Sequence, residues 1–170
     1  MIKMRTFAAA AVAAASLTLG VAATPASAAP APNGPTAVSV QSVDSPDTTS
    51  APAVERTRID DRACLFTFPD TGAPSTWALC DTKVRAWQWT DGRYEYALVG
   101  TDRRVWHTYQ TTANGSWASW TPLGDSSDVQ DGVWLEISSG LPVVQVLGSN
   151  GSFWCNSINS SGAWTNWYIC

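Results

Sequence analysis

From Val54 onward the chain alternates short apolar runs, rich in Val, Trp, Tyr and Thr, with polar turn dipeptides at Asp91-Gly92, Asn114-Gly115, Asn150-Gly151 and Ser161-Gly162. Turn dipeptides between short apolar runs are hairpin signals, and no window of useful length carries a helical period. The pattern predicts an all-β domain with strands near 83–90, 94–101, 105–111 and 116–123, then 132–138, 143–148, 153–158 and 163–169. Upstream the pattern changes. Lys3 and Arg5 precede an Ala-rich apolar run from Phe7 to Ala23, and Ala26-Ser27-Ala28 is a small-x-small cleavage site, so residues 1–28 read as a secretory signal peptide. Residues 29–53, built from Pro, Ala, Ser, Thr and Val with few charges, read as a disordered linker or pro-segment. The folded unit is 54–170.

That unit repeats. Gly100 and Trp106 match Gly148 and Trp154 at offset 48, while Trp87, Gly115, Trp117 and Trp120 match Trp134, Gly162, Trp164 and Trp167 at offset 47. The stretch Cys64 to Cys80 matches the end of the next unit at offset 43, with Gly72 on Gly115 and Trp77 on Trp120. Units of four strands and 40 to 50 residues are the signature of propeller blades, so the sequence predicts propeller-like four-stranded antiparallel blades, about two and a half per chain. Trp117 and Trp120 are three residues apart, as are Trp164 and Trp167, and on a regular strand such pairs point to opposite faces. Both faces of a blade then need cover.

Composition narrows the function. Only 14% of the 170 residues are charged, and without residues 1–28 the formal charge is (10 − 2) − 14 = −6. An acidic secreted chain lacks the positive patch that phosphate backbones and anionic lipid require, so neither nucleic acid nor a membrane is an expected partner. No later apolar run reaches the roughly 18 residues of a membrane helix. All four Cys lie beyond the signal peptide, an even number with no Cys-x-x-Cys spacing, which fits disulfides in an oxidising compartment. Cys64 and Cys80 stand at the positions of Cys155 and Cys170 in their units, and the middle unit lacks both. Joint presence favours Cys64–Cys80 and Cys155–Cys170 over the two other connectivities.

The middle unit resembles the tryptophan-rich repeats of the Photorhabdus lectin type, the PLL-like propeller lectins. Gly100, Thr101, Asp102, Trp106, His107, Gln110, Gly115, Trp117, Trp120, Leu123 and Gly124 carry the resemblance. The last unit keeps Gly148, Asn150, Gly151, Trp154, Gly162, Trp164 and Trp167 but has Cys155 in place of His. The resemblance implies propeller blades and binding of small sugars, fucose-type glycans among them, between adjacent blades. Two and a half blades leave an open edge and an uncovered face, which predicts either a homo-oligomer completing a ring or a compact variant in which disulfides replace the missing ring contacts.

The chemistry points to binding. A Trp face stacks on a pyranose while planar polar groups read its hydroxyls, though repeated Trp residues first serve packing. The candidate ligand-binding residues are Trp106, Trp117, Trp154, Trp164, Arg104, His107 and Gln110, with Asp102, Arg103 and Asn156 beside them, and the expected ligand is a fucose-type or galactose-type glycan. No Gly-x-Ser-x-Gly elbow is present, His107 is the sole His, and Glu55, Glu95 and Glu136 form no evident opposed pair, so no enzyme and no catalytic residue is expected. Asp125, Asp128 and Asp131 lack EF-hand spacing, so neither a metal nor another cofactor is expected. The alternative is a secreted, disulfide-stapled protein-interaction module such as a protease inhibitor.

Overall fold

The computed structural model describes residues 39–42 and 52–170, and every regular element in them is a strand. The strands are β1 (Ser39–Ser42), β2 (Glu55–Arg58), β3 (Ala63–Phe68), β4 (Ala73–Leu79), β5 (Arg85–Gln88), β6 (Tyr94–Val99), β7 (Val105–Tyr109), β8 (Thr121–Pro122), β9 (Val129–Ser138), β10 (Leu141–Gly148), β11 (Phe153–Ser157) and β12 (Tyr168–Ile169). They form three antiparallel sheets, ordered β2-β3-β4, β1-β5-β6-β7-β8 and β12-β11-β10-β9. Among the described residues none of these sheets closes on itself. Residues 1–28, read as a signal peptide, lie outside the described residues, as do 29–38 and 43–51 of the segment read as a linker. Within that segment, Ser39–Ser42 is a strand that pairs with β5 from Ser39↔Gln88 to Ser42↔Arg85.

The hairpins form where the turn dipeptides stand. Gly92, Gly151 and Gly162 supply the positive φ their turns need, and in the fourth turn Asn114 supplies it instead of Gly115.

The middle sheet is buried on both faces because its strands are apolar on both. Ala86, Tyr96 and Leu98 pack against Cys64, Phe66, Phe68 and Ala78 of the first sheet. Trp87, Ala97, Val99 and Val105 pack against Val129, Val133, Val144 and Val146 of the last. Strand alternation assigns neighbours such as Ala97 and Leu98 to opposite cores. The two outer sheets each cover one face of the middle one.

Tryptophans from the final segment of each later unit lock these interfaces. Trp117 stacks on Tyr96 at 5.2 Å and donates its indole N–H to the Thr71 carbonyl, and Trp120 packs on Phe68 and donates to Pro74. Trp167 donates to the Leu123 carbonyl and Trp164 to Glu95. Both members of each pair therefore turn toward the preceding sheet, not to opposite faces as a regular strand would place them. The reason is local. Trp117 and Trp164 make only isolated bridges, to Gln110 and Ile158, and ladder pairing resumes at β8 and β12, so the two-residue alternation does not apply between the rings.

The repeat frame holds across β6–β7 and β10–β11. Ala97↔His107 and Val99↔Val105 correspond to Gln145↔Cys155 and Leu147↔Phe153. It slips in the preceding strand, where Trp87 opposes Glu95 but Trp134 opposes Gln145, the position held by Arg85 in the middle sheet. The slip is two residues, so the face is kept. Both expected disulfides are present, Cys64–Cys80 and Cys155–Cys170, each tying the last two strands of its unit.

Candidate functional site

A cavity of about 260 Å³ opens between the last sheet and the segment that connects the middle sheet to it. The connecting segment Asp125 to Val129 forms one side, and the β10–β11 turn at Gly148, Ser149 and Asn150 forms the other, with Trp154 and Trp167 as its aromatic walls.

Each wall is fixed by backbone geometry. The Trp154 ring lies over Gly148, where an added Cβ would come within 3.0 Å of it, and its indole N–H reaches Asn150 Oδ1 at 3.5 Å. The middle unit repeats this arrangement: an added Cβ on Gly100 would meet Trp106 at 2.7 Å, and Trp106 donates to Asp102. Glycine at 100 and 148 is therefore what the following Trp requires. Trp167 is held by its 2.7 Å bond to the Leu123 carbonyl. The connecting segment is pinned from behind by Arg104, whose guanidinium donates to the Ser126 and Gly124 carbonyls, and by the Val105 N–H, which donates to the Ser126 hydroxyl.

The rim is acidic and rich in acceptors. Asp125 and Asp128 are exposed, and the Ser149 N–H donates to the Asp128 carbonyl, bringing the two sides together. Two aromatic walls beside carboxylate, amide and hydroxyl oxygens suit a neutral ligand with several O–H donors better than an anion. Among the described residues, no three His, Cys, Asp or Glu side chains converge as metal ligands. The Asp131 side chain lies outside what is described.

The residues singled out in the sequence distribute between this cavity and the sheet interfaces. Only Trp154 of the seven lines the cavity, and Arg104 supports its floor. Trp106 covers the matching turn of the middle unit, while Trp117 sits in the interface with the first sheet. Gln110 is buried and its Oε1 accepts the Tyr94 N–H, so it joins β6 to the end of β7. Asn156 is fully buried, with Oδ1 accepting from Thr165 and Nδ2 finding no acceptor.

His107 and Trp164 meet around Glu95, which is only 3% exposed. Its Oε1 lies 2.7 Å from His107 Nδ1 and accepts the Trp164 N–H, and its Oε2 accepts the Trp89 N–H. Glu95 is thus the polar centre of the interface between the middle and last sheets. Sequence reasoning passed over this role, and also over Trp167, Asn150 and the Asp125–Asp128 pair as cavity lining. The signal available for Trp167 was its repeat position, shared with Trp120.

No protein-family model matches the chain. No curated protein is significantly similar to it either. The cavity and its chemistry therefore carry the functional reading.

A second cleft of about 230 Å³ lies among Arg58, Asp61, Arg62, Asp81, Arg103 and Gln130. Two of its cations are turned to backbone, Arg58 to the Asp61 carbonyl and Arg103 to Val129. Mixed charge and occupied donors give it no clear ligand preference.

Proposed function

We propose that the chain is a secreted carbohydrate-binding protein without catalytic activity, built from propeller-type blades, whose sugar site is the cavity between the third and the segment that connects the second to it. The observation that carries this reading is the pairing of Trp154 and Trp167 walls with an oxygen-rich rim in about 260 Å³, a volume near the lower end of ligand clefts and suited to one monosaccharide. An indole face covers the apolar face of a pyranose, and Asp125, Asp128 and the Ser149 hydroxyl accept from its hydroxyls.

Further support comes from the resemblance of the middle unit to PLL-like lectin repeats and from the three meandering sheets whose faces pack on one another. Export is supported by the N-terminal Ala-rich run and by two disulfides. The expected ligands are fucose-type or galactose-type glycans. Glu95 spends both carboxylate oxygens on His107 Nδ1 and on the Trp89 and Trp164 indoles, which supports a packing role for it over that of an acid facing a substrate.

The test is titration with fucose and galactose, read by tryptophan fluorescence and calorimetry and backed by a glycan array. Binding should be lost in Trp154→Ala and weakened at least tenfold in Asp125→Ala, with both variants folded by circular dichroism. A protein that binds no glycan, or whose affinity is the same in both variants, defeats the proposal.

A further inference from the structure

The two outer sheets carry unpartnered faces of opposite kind. In each internal interface one sheet receives and the next one docks. The middle sheet receives the last through Val99, Val105 and His107, and the last docks with Trp164 and Trp167. The first sheet receives the middle one through Cys64, Phe66 and Phe68, and the middle one docks with Trp117 and Trp120.

Carried one step further, the same frame defines both free faces. Leu147, Phe153 and Cys155 occupy on the last sheet the registers of Val99, Val105 and His107, so its outer face is of the receiving kind. Trp134 lies on the same face and meets Phe153 edge-on at 5.9 Å, yet nothing among the described residues covers the pair and Phe153 is 47% exposed. On the first sheet, Trp77 holds the repeat position of Trp120 and Trp167. It opposes Leu65 on the face turned away from the middle sheet and is 53% exposed. Every other tryptophan at this position docks on a preceding sheet. Trp77 has none within the described chain.

We propose that the chain associates with itself head to tail, the Trp77–Leu65 face of one copy seating on the Trp134–Phe153–Leu147 face of the next. The occupant is a second copy because the contact would continue two interfaces already made within each chain, with a docking face and a receiving face left over in equal number. Such a contact is heterologous: it closes into a ring or grows as a filament, according to the rotation per chain. This inference does not rest on the sugar reading.

The test uses sedimentation velocity of the processed, disulfide-bonded chain over a range of concentrations, with Trp77→Asp and Phe153→Asp. Both positions are largely exposed, so each variant should keep the wild-type circular dichroism and unfold cooperatively, with a melting temperature lowered only as far as loss of association requires. Wild type should form species larger than a monomer, and each variant alone should be a monomer. Mixed in equal amounts, the variants should give a one-to-one complex and nothing larger, because the intact receiving face of Trp77→Asp meets the intact docking face of Phe153→Asp. A wild type that stays monomeric, a single variant that still assembles, or a mixture that remains monomeric overturns the proposal. The first result would mean that each face is covered by the chain's own N-terminal residues or by another partner.

Discussion

His107 Nδ1 lies 2.7 Å from Glu95 Oε1, with both side chains almost fully buried between the second and third sheets. Glu95 also accepts from Trp89 and Trp164, so one carboxylate joins the loop after β5, strand β7 and the C-terminal segment. Removing an acceptor that serves buried donors leaves each of them desolvated and unpaired. Glu95→Ala should lower unfolding free energy by about 3–5 kcal/mol, and Glu95→Gln, which keeps one carbonyl acceptor, by clearly less. Urea denaturation followed by tryptophan fluorescence measures both. Equal losses would show that the charge, not the number of donors served, is what matters.

The approach of Trp106 to Gly100 makes a second prediction. A Cβ at Gly100 would stand 2.7 Å from the indole and 2.8 Å from Asp102 Oδ1, well inside ordinary contact. Gly100→Ala should therefore cost about 1–3 kcal/mol by overpacking. In a Trp106→Ala background most of that cost should vanish, since the Asp102 side chain can swing aside and the ring is gone. A double-mutant cycle in urea reads the coupling, and additive losses would contradict the contact.

Much of this architecture is legible in the sequence because turn chemistry is local. Gly92, Gly151 and Gly162 announce their hairpins, and the joint presence of cysteines in the first and last units gives the disulfide pairing. Orientation of the tryptophans is not legible in the same way. A two-residue alternation assumes continuous strand, and the backbone between Trp117 and Trp120 leaves the ladder. The register of Trp134 is set by the β9–β10 hairpin, whose pairing runs without a shift from Leu141↔Ser138 through Gln145↔Trp134, and the place of that turn differs from its counterpart between β5 and β6 in a way the repeat offset does not mark. Glu95 as a hub is illegible for a third reason: its donor Trp164 is 69 residues away, and only the docking of one sheet on another brings them together. The cavity shares that origin, since its two sides come from the connecting segment and from a turn of the next unit.

The two disulfides should differ in accessibility and little in loop entropy. They span 16 and 15 residues, so each should contribute about 3 kcal/mol by restricting the unfolded chain. Cys64 and Cys80 are buried in the core against the middle sheet, whereas Cys170 is exposed at the chain's end. Under limiting reductant in native conditions Cys155–Cys170 should open first, and mass spectrometry after alkylation should find the label on that pair. Simultaneous opening of both would mean that reduction proceeds through global unfolding.

The alkaline limit of stability should be set in part by Tyr96. Burial between the first and second sheets pushes its phenol up from 10.0 to about 12, and the hydrogen bond to the Thr71 hydroxyl, which works in the opposite direction, offsets only part of that. In the unfolded chain the phenol ionises near its ordinary value, so between 10 and about 12 the unfolded state binds fewer protons than the folded one. Stability from this group is therefore complete below pH 10 and is lost as pH rises toward 12. Tyr96→Phe removes the ionisable group while keeping the ring that stacks on Trp117 and Phe68. It should flatten the decline of urea midpoint above pH 10 while leaving neutral stability within about 1 kcal/mol of wild type, the net value of a single hydrogen bond. A variant whose midpoint falls as steeply as wild type over that range would place the alkaline sensitivity in other groups.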